Sequence, residues 1–300
     1  MFDHSTIPRV YGLPPGVDFP KALVEGLLVR HQNLPPEALA RVTLVVNTRR
    51  MARRIHDLFD AGPARLLPKI ELLTDLGKRP ETIHLPPAIS PLKRRLELTQ
   101  LVAALLERTP DLAPCSALYD LADSLASLMD EMQGEGVPAE AIKQLDISDQ
   151  SGHWARTQQF LSIVQTFSNS NDKELDSETR QRRVIEELTA CWAQNPIDNP
   201  VILAGSTGSR GTTLELMHAV AHLPQGALVV PGFDFDMPTS GWQDLSNPFT
   251  AEDHPQYRFR KMMQRLNIQR NDIVLWHDTP APSAARNKVV SLALRPAPVT

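Results

Sequence analysis

The sequence predicts an α/β protein: a sheet of buried parallel strands flanked by helices and interrupted by an all-helical segment. Three observations predict it. Residues 199–236 read as strand–loop–helix–strand. In that unit Val201, Ile202, Leu203 and Ala204 form an unbroken apolar run with β-branched members, the pattern of a strand covered on both faces. The first 60 residues repeat strand, loop and helix twice, as βαβ units do. Between these two regions, leucines recur at helical spacing with no strand pattern among them.

Taken in order, residues 7–13 predict a short first strand, 14–18 a loop, and 19–31 a helix with Leu23, Leu27 and Leu28 inward. Strand, glycine-containing loop and helix is the layout of a phosphate-binding loop. Its chemistry needs a Lys for the β- and γ-phosphates and a following Ser or Thr for magnesium. The stretch here is GLPPGVDFPK: Lys21 is present, no Ser or Thr follows it, and two prolines remove amides that would cradle phosphate. Residues 41–47 predict a second strand. Thr48 then caps a helix to about residue 60, with Met51, Ile55, Leu58 and Phe59 toward the core. Arg49, Arg50, Arg53 and Arg54 stand on the opposite side as like-charged i, i+4 pairs. Such pairs repel, and a polyanion relieves them; a solvated basic face is the alternative. Pro68 limits any strand after Leu66 and Leu67 to a short one.

From Ser90-Pro91 the character becomes helical. Leu92, Leu96, Thr99, Ala103 and Leu106 are expected inward on one helix, and Leu118, Leu121, Leu125, Leu128 and Met132 on the next. A short helix at 139–145, a long one at 151–168 with Trp154 in the core, and a last one at 176–194 burying Val184, Leu188 and Trp192 complete the segment. The predicted division is 1–88 and 196–300 as two parts of one α/β domain, with 89–195 as a helical insertion.

In the unit at 199–236, Gly205-Ser206-Thr207-Gly208-Ser209-Arg210-Gly211 follows the strand, and Thr212 or Thr213 is expected to cap the helix. Backbone amides and hydroxyls at a helix N-terminus bind phosphate, so Ser206, Thr207, Ser209 and Arg210 form a candidate anion cradle; ordinary capping is the alternative. The next strand, 227–231, leads to Asp234 and Asp236. A helix at 254–266 buries Phe259, Met262, Met263 and Leu266, a last strand covers 273–276, and the end at 289–300 reads as a break within a longer chain.

The 300 residues carry a net charge of −4, which argues against a polycation. The charge is uneven, and that says more than the total. Residues 41–79 hold nine Lys/Arg against four Asp/Glu, whereas 111–150 hold nine Asp/Glu against Lys143 alone. Cys115 and Cys191 lack CxxC spacing and read as small apolar residues in a reducing cytoplasm. His254, before Pro255, and the other lone histidines lack ligand spacing and read as structural, so no metal is expected. The N-terminus lacks the basic and apolar regions of a signal peptide, and no apolar run is long enough to span a membrane.

The succession of LVVNTRRMARRIHDLF, a helical insertion, VILAGSTGSRGTTLELMHAVAHLPQGALVVPGFD and HPQYRFRKMMQRLNI resembles the N-terminal helicase-like region of the AddB family, in its alphaproteobacterial form. AddB is a subunit of the AddAB helicase–nuclease of double-strand break repair. The resemblance covers all 300 residues and implies an N-terminal fragment of a longer protein. It implies a RecA-like, P-loop NTPase-like core of the superfamily 1 helicase 1A type, interrupted by a 1B-like insertion. It further implies that Thr48, Arg49, Arg50, Arg53 and Arg54 contact single-stranded DNA, the 3′-ended strand, and that an AddA-type subunit is the partner. The family's magnesium centre and 4Fe-4S cluster belong to a nuclease domain far beyond residue 300. With no GK[ST] after the first strand and no DExx box, no catalytic site is expected in this stretch. Two further readings stand beside a non-catalytic DNA-contacting part: a nucleotide- or phosphate-binding protein using loop 205–211, and a purely architectural docking domain.

Overall fold

The computed structural model describes residues 1–138, 141, 175–247 and 251–295. The helices predicted at 139–145 (Ala141 apart) and 151–168, and Trp154 with them, lie outside the described residues. By contacts the chain divides into two compact units. One is Met1–Leu76, Leu188–Ser209 and Thr213–Thr300; the other is Gly77–Glu187 with Arg210–Thr212. The sequence puts these boundaries at 89 and 195; the contacts put them at 77 and 187.

The first unit is built on a parallel sheet of β1 (Val10–Gly12), β2 (Thr43–Val46), β3 (Lys69–Leu72), β4 (Val201–Ala204), β5 (Gly226–Val230) and β6 (Val274–Leu275), in the order β3-β2-β4-β5-β1-β6. The predicted α/β class with a parallel sheet is therefore observed. The central strands β4 and β5 are buried at every position, as their unbroken apolar runs require. At the edge, β6 is only two residues long, because its partners Tyr11 and Gly12 belong to a three-residue β1.

α1 (Phe19–His31) and α2 (Arg49–Asp60) cover one face of this sheet. Leu23 and Leu27 of α1, with Met51, Ile55 and Phe59 of α2, pack on Leu44, Val46, Ile202, Ala204, Ala227 and Val229. These strand residues alternate, so Val45, Leu203, Leu228 and Val230, all buried, turn to the other face. The connections β1→β2→β3 run one way across the sheet and β4→β5→β6 the other. Right-handed crossovers then deliver α6 (Gly211–Ala221) and α7 (Tyr257–Leu266) to the second face. Phe259, Met262, Met263 and Leu266 of α7 are buried, as their spacing predicts.

In the second unit, α3 (Pro91–Arg108) and α4 (Leu118–Glu135) form a helical hairpin capped at its start by Ser90. Its core is Leu98, Val102, Leu106, Ala122, Leu125 and Met129. The face of α3 differs from the expected one: Leu92 and Leu96 are 65% and 51% exposed, while Leu98 and Val102 are buried. The helix is rotated by the Arg94 guanidinium, which is buried against α4 and donates to Asp130 at 2.5 Å. A buried cation needs its partner, and that pairing fixes which leucines can face inward. α5 (Ser177–Gln194) starts at Asp176, whose Oδ1 accepts from the Glu178 and Thr179 amides, and buries Val184, Leu188 and Trp192. No described helix is long and apolar enough to cross a membrane.

Candidate functional site

A parallel sheet whose connections leave in opposite directions opens crevices at the carboxyl ends of its strands, at the points where the direction switches. Here the switch falls between β2 and β4 and between β5 and β1, and two cavities open along this edge.

The first, of about 480 Å³, is lined by the loops after β1, β2, β4 and β5. After β2 the chain turns at Asn47 and Thr48. Thr48 holds an extended backbone and its hydroxyl accepts from the Met51 amide at 3.2 Å, so it is the N-cap that the sequence predicts. This cap starts α2 with Arg50 and Arg54 toward the cavity. After β1, Asp18 caps α1 by accepting from the Lys21 amide, and its other oxygen faces the Arg54 guanidinium at 3.3 Å. Phe19 and Met51 supply the apolar part of the lining. Asn47 Nδ2 donates to the Gly205 carbonyl at 2.9 Å, tying the β2 and β4 loops together. Gly205 has φ +80°, and a Cβ there would stand 2.8 Å from Met51 Sδ, so the close approach of loop and helix needs glycine.

Of the five predicted DNA-contacting residues, Thr48, Arg50 and Arg54 meet in this cavity. Arg49 and Arg53 are exposed on α2 outside its lining. Arg49, Arg50 and Arg53 form no ion pair among the described residues, and Arg54 has the exposed one with Asp18. Asp18, Phe19 and Asn47 were not expected here. Their signal was local, a capping Asp before Phe-Pro and a polar residue closing a strand, and neither pattern says which loops the sheet brings together.

The predicted cradle at 205–211 is not assembled as an open anion site. Ser206 is buried and its Oγ accepts from the Gly208 amide at 3.3 Å. Ser209 is exposed and Thr207 half-buried. Arg210 is ion-paired with Glu178, which raises its pKa through that hydrogen bond and charge. At the start of α6 the Gly211 amide donates to Glu135 Oε1 at 3.2 Å. Thr212 does not cap this helix; its hydroxyl donates to the Gly134 carbonyl at 3.1 Å. The anions that meet the loop are the chain's own carboxylates.

The second cavity, of about 530 Å³, lies beside Pro14, Gly232, Asp234 and His254, with α8 (Ala284–Ala293) on its far side. Asp234 is buried and serves the fold: Oδ1 accepts from the Asp236 and Met237 amides at 2.8 and 3.0 Å. Gln256 completes the knot. Its Oε1 accepts from the Asp234 amide, its Nε2 donates to the Gly232 carbonyl, and its own amide donates to His254 Nδ1 at 3.0 Å. Burial lowers the His254 pKa, against smaller opposing pulls from the Leu294 backbone and Asp234. Lys21, at the position of a phosphate-binding lysine, pairs with Glu25 at 3.9 Å on the surface.

Among the described residues no three His, Cys, Asp or Glu side chains converge on a metal position. Cys115 and Cys191 are free. Comparison of the chain with protein-family models and with curated proteins gives no match.

Proposed function

We propose that this chain is a non-catalytic, RecA-like helicase part of AddB type, and that the crevice between α1 and α2 holds single-stranded DNA. The observation that carries this reading is the grouping of Arg50, Arg54, Thr48 and Phe19 around one open cavity at the carboxyl edge of a parallel sheet. Cations along a groove with an aromatic ring among them bind a single strand by its phosphates and by stacking, without sequence preference. The strand order and a helical unit between β3 and β4 support a helicase-like core. The loops after β1 and β5 support a part without ATP chemistry: Pro14 and Pro15 have no amide to give, and Asp234 Oδ1 is occupied by backbone amides. In the intact machine an AddA-type subunit drives the strand, and this part holds it.

The test is the anisotropy of a labelled single-stranded oligonucleotide titrated with the protein over a range of salt. Arg50→Ala with Arg54→Ala removes two phosphate contacts, so the slope of log affinity against log salt falls by about 1.4. Affinity falls for every sequence alike. An unchanged affinity and slope in the double variant would remove this crevice from the path of the strand.

A further inference from the structure

On the second face of the sheet, α6 carries His218 in its last turn, and His222 follows directly after its end at Ala221, four residues on and on the same side. Their ring centroids are 4.2 Å apart with the planes inclined by 36°. His222 is exposed and His218 half-buried. His222 Nδ1 lies 2.7 Å from the His218 carbonyl, which can only accept. The proton is therefore on Nδ1, and the Nε2 lone pair of neutral His222 is left for a ligand. A backbone carbonyl that fixes the tautomer in this way is the usual support of a metal-binding imidazole.

We infer that His218 and His222 form a two-point site for a borderline divalent transition ion: zinc, nickel or copper. Two imidazoles at i and i+4 on one helix are a recurrent half of zinc sites, and nitrogen donors select these ions over magnesium and calcium. The surroundings keep the pair available. Glu215, one turn before His218, is held by Arg265 in a two-pronged ion pair at 3.0 and 2.7 Å. The clamp thus has two nitrogen donors, one half-buried and one exposed.

The test uses the whole chain with one equivalent of copper(II), read by electron paramagnetic resonance, and zinc(II) titrated by calorimetry. The expected spectrum shows nitrogen coupling from two imidazoles, with one zinc bound per chain. His218→Gln and His222→Gln, made separately and checked for native circular dichroism, each weaken binding by about 100-fold, because a chelate becomes a single donor. The other seven of the nine histidines remain in each variant as the control. No bound zinc in the wild type, or unchanged stoichiometry and affinity in both variants, would overturn the assignment.

Discussion

Asp18 does two things at once, and the two can be separated. One oxygen caps α1 at the Lys21 amide, and the other faces Arg54 across the crevice. It is the acidic residue among those lining a cavity that otherwise presents Arg50 and Arg54. A phosphate entering there must displace or oppose it. Asn caps a helix as well as Asp does, so Asp18→Asn keeps the start of α1 and removes the charge. Exposed ion pairs of this kind are worth a few tenths to one kcal/mol, so affinity for single-stranded DNA should rise roughly twofold to fivefold. Anisotropy at low salt measures it, and the gain should shrink as salt is added. A loss of affinity would mean that Asp18 positions Arg54 for the strand rather than competing with it.

At the scale of elements, the two-residue β6 is held by one indole. Trp276 follows β6 and inserts against α1, where its Nε1 donates to the Leu23 carbonyl at 3.0 Å. Arg30 lies 3.8 Å above the Trp276 ring centroid and donates to its carbonyl at 2.7 Å. Burial lowers the Arg30 pKa first, and Tyr11 opposes that. The seat exists because position 26 of α1 is glycine: a Cβ there would collide with Trp276 Nε1 and stand 2.6 Å from Cδ1. Gly→Ala inside a helix ordinarily gains about 1 kcal/mol. Here the indole must move, and overpacking of this sort costs about 1–3 kcal/mol. Gly26→Ala should therefore lower the urea midpoint without changing the m-value. A higher midpoint would show that Trp276 is not seated against α1.

At the scale of the whole molecule, the parallel sheet was legible because β4 and β5 are buried on both faces and their sequences are apolar throughout. α2 was legible end to end, because Thr48 is a local cap and its apolar period is unbroken. The orientation of α3 was not: Leu92 and Leu96 fit the helical period, but the distant Asp130 decides where Arg94 goes. The crevice was half legible. Arg50 and Arg54 stood out as charge, whereas Asp18, Phe19 and Gly205 enter it through strand order, which no local pattern carries. The knot after β5 was hidden for the same reason, since Asp234, Gln256 and His254 meet only when β5 and the start of α7 are folded together. That knot gives the fold a pH limit. His254 Nδ1 accepts from the Gln256 amide, so the neutral ring carries its proton on Nε2 and the second proton must go to Nδ1; burial disfavours the charged ring, and the folded pKa lies below the unfolded one. As pH falls below about 6.5, the unfolded chain takes up the proton first. The stability associated with a neutral His254 is thus full above that pH and is lost below it. His218, also depressed by burial, acts in the same direction. His254→Asn keeps an acceptor for the Gln256 amide and removes the titration. Its melting temperature should fall less than that of the wild type between pH 7.5 and 5.5. Parallel melting curves for the two proteins over that range would show that the acid sensitivity lies elsewhere.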